Sequence, residues 1–232
     1  MNEQPPGGPV GETHVRAIVT VDGIDGSGKS TFARRLVEQL GPRAVLFAVD
    51  DFRRPVDWAT PGRSELEVYY QRRYDLVALD TCLRGFRDGQ PGCRFRPFDG
   101  ASETLGPERE VAFGAALVAV VEGVFVARLR CSVDALSIYV DIPRDEAERR
   151  VRARDQAKGR TLQEVQRRID QRYFPAHDRY LGEQQPRDRA AILFDNRDPQ
   201  APRVMHARLP AGPGWAPVRA ALETLLADAV TH

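Results

Sequence analysis

The residues best suited to chemistry stand in one run, Gly23-Ile24-Asp25-Gly26-Ser27-Gly28-Lys29-Ser30, with Thr31 behind it. Gly23 and Gly28, followed at once by a Lys-Ser pair, have the spacing of a phosphate-binding loop, or P-loop. The glycines let the backbone turn its N–H groups inward onto phosphate oxygens, and a helix starting just after them adds positive potential. Lys29 is then placed to bridge the β- and γ-phosphates, and the Ser30 hydroxyl to hold Mg²⁺. Composition alone yields roughly 10⁻³ such matches in a chain of this length, so chance does not account for it. Of the 34 basic residues only Lys29 and Lys158 are lysine. A compact ammonium fits inside a tight glycine loop, where a guanidinium fits poorly. Lys158 has no such requirement that the sequence can state.

A second set of reactive groups falls where apolar runs end. Asp22, Asp50 with Asp51, Glu122, Asp141 and Asp195 each close a run that reads as a strand. In open α/β sheets ligands bind outside the carboxyl ends of the strands. Acids gathered there repel one another unless a metal ion or basic side chains offset them. Asp50 can face an acceptor hydroxyl beside a γ-phosphate; an ordinary turn-forming acid pair with Asp51 is the alternative. Asp141, just before Pro143, is expected to cap the next helix. A supply of cations follows: Arg144–Arg172 carries nine arginines and Lys158 against six acids. Planar guanidinium forks suit a triphosphate, and a solvated charged helix face is the alternative.

These groups need elements to position them. Val15–Asp22 reads as a strand, Ser30–Leu40 as a helix with Phe32, Leu36 and Leu40 on one face, and Arg43–Val49 as a strand. Glu65–Leu83 is expected to be one helix with Leu66, Tyr70, Tyr74 and Val77 as its buried stripe. Residues 84–113 are broken by glycine and proline, and short strands near Arg94–Phe98 and Glu110–Phe113 suggest a hairpin-like insertion. Ala115–Val121, Leu136–Val140 and Ala190–Phe194 are further strands, Arg144–Leu181 is charged and helical, and Val218, Leu222, Leu225 and Ala229 mark a closing helix. Strands alternating with helices predict an α/β fold, a P-loop NTPase three-layer sandwich with a mainly parallel sheet of about five strands. A helical, arginine-rich lid over 144–181 and a small β-hairpin-like insertion complete it.

The bulk properties restrict the partners. At 232 residues the chain has room for one well-cored domain with an embellishment. We expect a flexible tail over 1–14 and a single domain over 15–232. A net charge of +1 argues against a general nucleic-acid or membrane-surface binder. No apolar run approaches the roughly 18 residues of a membrane span, and the first residues lack a signal pattern. Cys82, Cys93 and Cys131 are too few and scattered for a disulfide framework, and His14, His177, His206 and His232 lack metal-ligand spacing. His177 is expected to pack in the core or on the surface. The expectation is a cytoplasmic protein without structural metal, whose oligomeric state the sequence leaves open to a homo-oligomer.

Taken in order, GIDGSGKST (23–31), VDDF (49–52), YYQRRYD (69–75), PFD (97–99), VVEGVF (120–125), the RRVRARD and GR of 149–160 and RYFPAHDRY (172–180) resemble the uridine kinase and phosphoribulokinase-like P-loop kinases. The resemblance runs from about Val15 to Pro202, and nicotinamide riboside kinases share a similar DDF strand end. It implies ATP and Mg²⁺ as cofactors and phosphate transfer to a primary hydroxyl of a small molecule, a nucleoside-like acceptor. It implies that Asp50 is the general base or orients the hydroxyl, with Asp51 beside it on the acceptor, and that Ser30, Asp50 and Glu122 hold the metal. Gly23, Asp25, Gly26, Ser27, Gly28, Lys29, Ser30 and Thr31 would bind ATP. Arg150, Arg154 and Arg160 would form the lid over the phosphates, with Arg154 and Lys29 catalytic, and Asn196 to Pro199 would pass near the adenine. Asp75 would bind ribose hydroxyls; a mid-helix acid in a surface ion pair with Arg72 or Arg73 is the alternative. Phe98 and Asp99 would line the acceptor base pocket. Pyrimidine nucleoside kinases of the family usually carry a tyrosine there and a histidine a few residues on. Here the residues are Phe98 and, near the second position, Glu103, which weakens uridine or cytidine as the acceptor. The alternatives are a P-loop ATPase or nucleotide-dependent regulator, and a kinase of pantothenate, nicotinamide riboside or a specialised metabolite.

Overall fold

A computed structural model describes residues 16–228. The tail expected over 1–14, Val15 and Ala229 lie outside the described residues. β1 (Ala17–Asp22) leads through the glycine loop into α1 (Lys29–Leu40) and β2 (Ala44–Ala48). A 3-10 turn at Val49–Phe52 precedes α2 (Glu65–Glu67) and α3 (Leu76–Arg87). Four short strands follow: β3 (Gly92–Phe95), β4 (Phe98–Asp99), β5 (Thr104–Leu105) and β6 (Arg109–Ala112). Then come β7 (Val118–Glu122), β8 (Leu136–Asp141), α4 (Arg144–Ala157), α5 (Leu162–Arg168), α6 (Phe174–Gln184) and α7 (Pro186–Arg189). β9 (Ile192–Asp195), β10 (Arg203–Ala207) and α8 (Ala216–Asp228) close the chain.

The sheet order is β10-β9-β8-β1-β7-β2, parallel throughout except for β10. Its inner strands β1, β7, β8 and β9 are buried on both faces, as parallel strands covered by helices must be. Val19, Val21, Val118 and Val120 pack under α1 and α8 with Phe32, Leu36, Leu222 and Leu225. Their sequence neighbours Ile18, Ala119 and Val121 face the other way, onto Leu79, Leu83, Phe86, Phe125 and Tyr180. The chain leaves β1 for β2 on one side and returns to β8 on the other, so the β1 carboxyl end is the switch point where ligands bind.

Two expectations change. The sheet has six strands, not about five, because β10 adds an antiparallel edge in which Val204 and His206 alternate with exposed neighbours. The single helix over 65–83 is two helices. A π-helical turn at Val68–Arg72 ends the first, and Asp75 caps α3 by accepting from Ala78 N at 3.0 Å. Between them the chain runs beside 52–54: Arg54 N donates to Arg73 O and Asp75 N to Phe52 O, both at 2.7 Å. Tyr70 and Tyr74 are buried as expected, but Val77 is 73% exposed, because the restarted helix turns it outward. The insertion forms a β3–β6 hairpin around a smaller β4–β5 one, beginning beyond the end of α3 at Arg87. Helices α4 to α6 are seated on the loop by an apolar cluster in which Ile24 meets Val151, Val165, Ile169 and Phe174. Among the described residues no helix is long and apolar enough to cross a membrane.

Candidate active site

The glycine loop is built so that only glycine fits at its ends. Gly23 sits at φ +150°, and a Cβ there would lie 2.5 Å from both Ser27 Oγ and Val140 O. Gly28 sits at φ +93°, and its Cβ would lie 2.4 Å from Asn196 Nδ2. Gly28 therefore caps α1 in the left-handed region, without a side-chain cap and with no acid in the first turn. That leaves the helix N-terminus open to an anion. Ser27 Oγ is buried without a hydrogen-bond partner. An orphaned hydroxyl at the base of such a cradle fits a phosphate oxygen.

Behind the loop, Ser30 Oγ donates to Glu122 Oε2 at 2.9 Å. Burial raises the Glu122 carboxyl above the ordinary range; Lys29 and Ser30 pull it back, while Asp50 pushes it further up. A hydroxyl and a carboxylate in contact, with the charge of Asp50 acting on them, fit a divalent cation, which Ser30, Asp50 and Glu122 would hold. Among the described residues no three His, Cys, Asp or Glu side chains form a metal cluster by themselves. A cation here would complete its shell with phosphate and water oxygens, as Mg²⁺ does.

Lys29 is 9% exposed, with Nζ 3.3 Å from Ile24 O. Asp25, inside the loop, accepts from Tyr69 OH at 3.4 Å and lies 3.5 Å from Arg154. Burial alone would raise its carboxyl, but Lys29 and then Arg154 outweigh it and hold it below the usual range. Arg154 also reaches Asp155 at 2.8 Å, and Arg160 reaches the same carboxylate at 3.1 Å. Asp155, 1% exposed, thus aims two cations of the lid at one place.

A cavity of about 420 Å³ opens beside the loop, lined by Asp25, Asp50, Arg53, Phe98, Arg154 and Lys158 among others. A second, of about 250 Å³, lies on the other side of the loop, against Gly28, Thr31, Phe32, Arg150, Asn196 and Pro199. Arg150 ties this second wall together by donating to Asn196 O and Arg197 O at 2.9 Å, and Asn196 Nδ2 donates to Ser27 O at 2.7 Å.

The expected residues therefore divide. Asp25, Asp50, Phe98, Arg154 and Arg160 line the larger cavity; Gly26, Gly28, Thr31, Arg150 and Asn196 line the smaller. Asp51, Asp75 and Asp99 do not meet either. Asp51 is paired with Arg109 of β6, Asp75 with Arg54 at 2.6 Å, and Asp99 accepts from Ala101 N and Ser102 Oγ in its own turn. Asp75 is thus a helix cap rather than a mid-helix acid, and its ion-pair partner is Arg54 rather than Arg72 or Arg73. Asp141 caps no helix; it accepts from Arg187 Nε at 3.0 Å. His177 is packed in the core, 3.1 Å from Tyr139 OH, and burial lowers it to about 4.

Sequence reasoning missed Trp58, Arg73, Arg172 and Tyr173, all on the larger cavity. Tyr69 and Tyr173 stand on two facing π-helical turns, with ring centres 5.5 Å apart. A tryptophan inside an otherwise polar loop was the one available signal, since Trp58 is one of only two in the chain.

The phosphoribulokinase / uridine kinase family model matches residues 18–197. No curated protein matches the chain. Among solved structures, it is similar to a candidate uridine kinase from Bacillus stearothermophilus, with 24% identity, a TM-score of 0.62, and coverage of 79% of this chain and 91% of that one. A candidate fructose transport system kinase from Silicibacter sp. TM1040 is 19% identical, with a TM-score of 0.60 and coverage of 74% and 87%. At these identities the structural likenesses show a shared fold.

Proposed function

The chain belongs to the phosphoribulokinase / uridine kinase family of P-loop kinases, and we propose that it moves the γ-phosphate of ATP onto a primary hydroxyl of a small metabolite bound in the larger cavity. ATP and Mg²⁺ are the general cofactors of such kinases. The observation that carries the reading is that Asp25 of the loop, the strand-end Asp50 and Arg154 of the lid line one cavity large enough for an acceptor.

In this reading each residue has a positional task, since phosphate transfer asks the protein mainly for alignment and charge stabilisation. Lys29 and the loop N–H groups hold the phosphates. Ser30, Asp50 and Glu122 would hold Mg²⁺, which when bound neutralises phosphate charge and orients its oxygens. Asp50, 62% exposed and 3.7 Å from Arg53, accepts or orients the acceptor's hydroxyl proton. Arg154, held by Asp25 and Asp155, faces charge developing on the transferred group. Arg150 and Asn196 shape the smaller cavity for the nucleotide base, and 144–181 acts as the lid.

The acceptor need not be a nucleoside. The three residues that the family resemblance offers for its ribose and base are engaged: Asp75 with Arg54 and the α3 cap, Asp99 with Ala101 N and Ser102 Oγ, and Phe98 beneath the guanidiniums of Arg53 and Arg73, at 5.0 and 4.3 Å from its ring centre. A nucleotide-dependent regulator has no use for a 420 Å³ cavity facing Asp50, which favours the kinase over that reading. Release of ADP from ATP and Mg²⁺, measured against nucleosides, pantothenate, nicotinamide riboside and small sugars, tests it. Stimulation by an acceptor supports it, and a basal rate that none of them raises favours the regulator.

A further inference from the structure

The far wall of the acceptor cavity holds a cation that the chain does not neutralise. Arg73 is 7% exposed. Its guanidinium carbon lies 4.3 Å from the Phe98 ring centre and 5.5 Å from that of Trp58. Among the described residues the guanidinium donates one hydrogen bond, from Nη1 to Arg54 O at 2.6 Å, and has no ion pair. Its charged neighbours make matters worse: burial and then the like charge of Arg53 push its pKa down, and Tyr74 and Glu103 offset this only in part.

The other arginines of the cavity are answered, and Lys158 is exposed to solvent. Arg154 and Arg160 share Asp155, Arg168 meets Glu164, Arg172 meets Glu65, and Arg53 meets Asp50. Arg73 stands apart as a buried charge with most of its five donors unused. Such a group is costly unless a counter-charge arrives. A guanidinium fork matches the paired oxygens of a carboxylate or a phosphate, and two aromatic rings already fix where this one lies.

We propose that the acceptor carries an anionic group, a carboxylate or a phosphate, received by Arg73 with Arg53 beside it, at the opposite end from the hydroxyl that faces Asp50. This rests on the kinase reading above. The Arg53 guanidinium lies 3.7 Å from Asp50 and 5.0 Å from the centre of the Phe98 ring that it shares with Arg73, so it stands between the two ends of the acceptor. A hydroxy acid or a sugar phosphate has the two groups required.

The anion site is tested by calorimetry on the protein saturated with Mg²⁺ and a non-hydrolysable ATP analogue, so that the loop is filled. Inorganic phosphate and malonate are the probes. At least one is expected to bind, about tenfold or more weakly to Arg73→Gln, with part of the loss restored in Arg73→Lys. Turnover is then compared in matched pairs, ribose against ribose 5-phosphate and glycerol against glycerate, which separates phosphate from carboxylate. The anionic member of one pair should have the higher kcat/KM, by about tenfold or more, and Arg73→Gln should abolish the advantage mainly through KM. Absence of anion binding, equal binding by wild type and Arg73→Gln, or equal or better use of the neutral partners overturns the proposal. If Arg73→Gln does not fold, the wild-type pairs and Arg73→Lys decide. If no acceptor stimulates ADP release, the kinase reading fails, while the phosphate and malonate titrations still decide the anion site.

Discussion

The Ser30 hydroxyl donates to the Glu122 carboxylate at 2.9 Å, and this one bond joins the first turn of α1 to the end of β7. Glu122→Gln keeps an acceptor for Ser30 and removes the charge. We expect the variant to fold normally and to need about tenfold or more Mg²⁺ for half-maximal activity, read from Mg²⁺ titrations at fixed ATP. An unchanged Mg²⁺ requirement would remove Glu122 from the cation site.

Asp22, behind the loop, gives a pH signature. It accepts from Gly23 N at 2.7 Å and from the Tyr180 hydroxyl, and burial raises it to about 6 against the pull of those bonds and Lys29. A raised carboxyl stabilises the fold fully below about pH 4, and that contribution is lost as pH rises through about 6. His177, lowered by burial to about 4, works the other way, losing stability as pH falls from about 6.5 through 4. The two oppose each other in the wild type. Asp22→Asn removes the first, so its stability relative to wild type should climb from pH 4 to 6 by on the order of 2 kcal/mol. Thermal melts across that range check it; a difference independent of pH would contradict the assignment.

Lys158 lines the larger cavity and is exposed, and its side chain makes no hydrogen bond or ion pair among the described residues. Its loss should cost the fold little, within about 0.5 kcal/mol. Lys158→Ala is therefore expected to melt with the wild type yet lose about tenfold in kcat/KM. Equal kcat/KM would make it an ordinary surface lysine, and both lysines would then not share the site.

The parts of this arrangement that were legible in the sequence are those fixed locally. Gly23 to Thr31 dictate the loop by spacing, and the double-faced apolar runs dictate parallel strands with acids at their ends. The break at Arg73–Asp75 was not legible, because Leu66, Tyr70 and Tyr74 continue one periodic stripe across it. β10 was hidden by its edge position between Pro202 and Pro210, where only Val204 and His206 alternate. Arg73 was invisible for a different reason. In a chain this rich in arginine no single one stands out, and only the approach of Trp58 and Phe98 makes this one buried and unpaired.

In the proposed kinase, Asp50 serves the acceptor hydroxyl in a cavity that Asp25 of the phosphate loop also lines. The most direct measurement is the single-turnover rate of phosphate transfer by Asp50→Asn with a working acceptor, alongside its affinity for ATP. The expected result is a folded protein with ATP affinity close to wild type and a transfer rate lower by roughly 10²–10⁴. Transfer at the wild-type rate would contradict it.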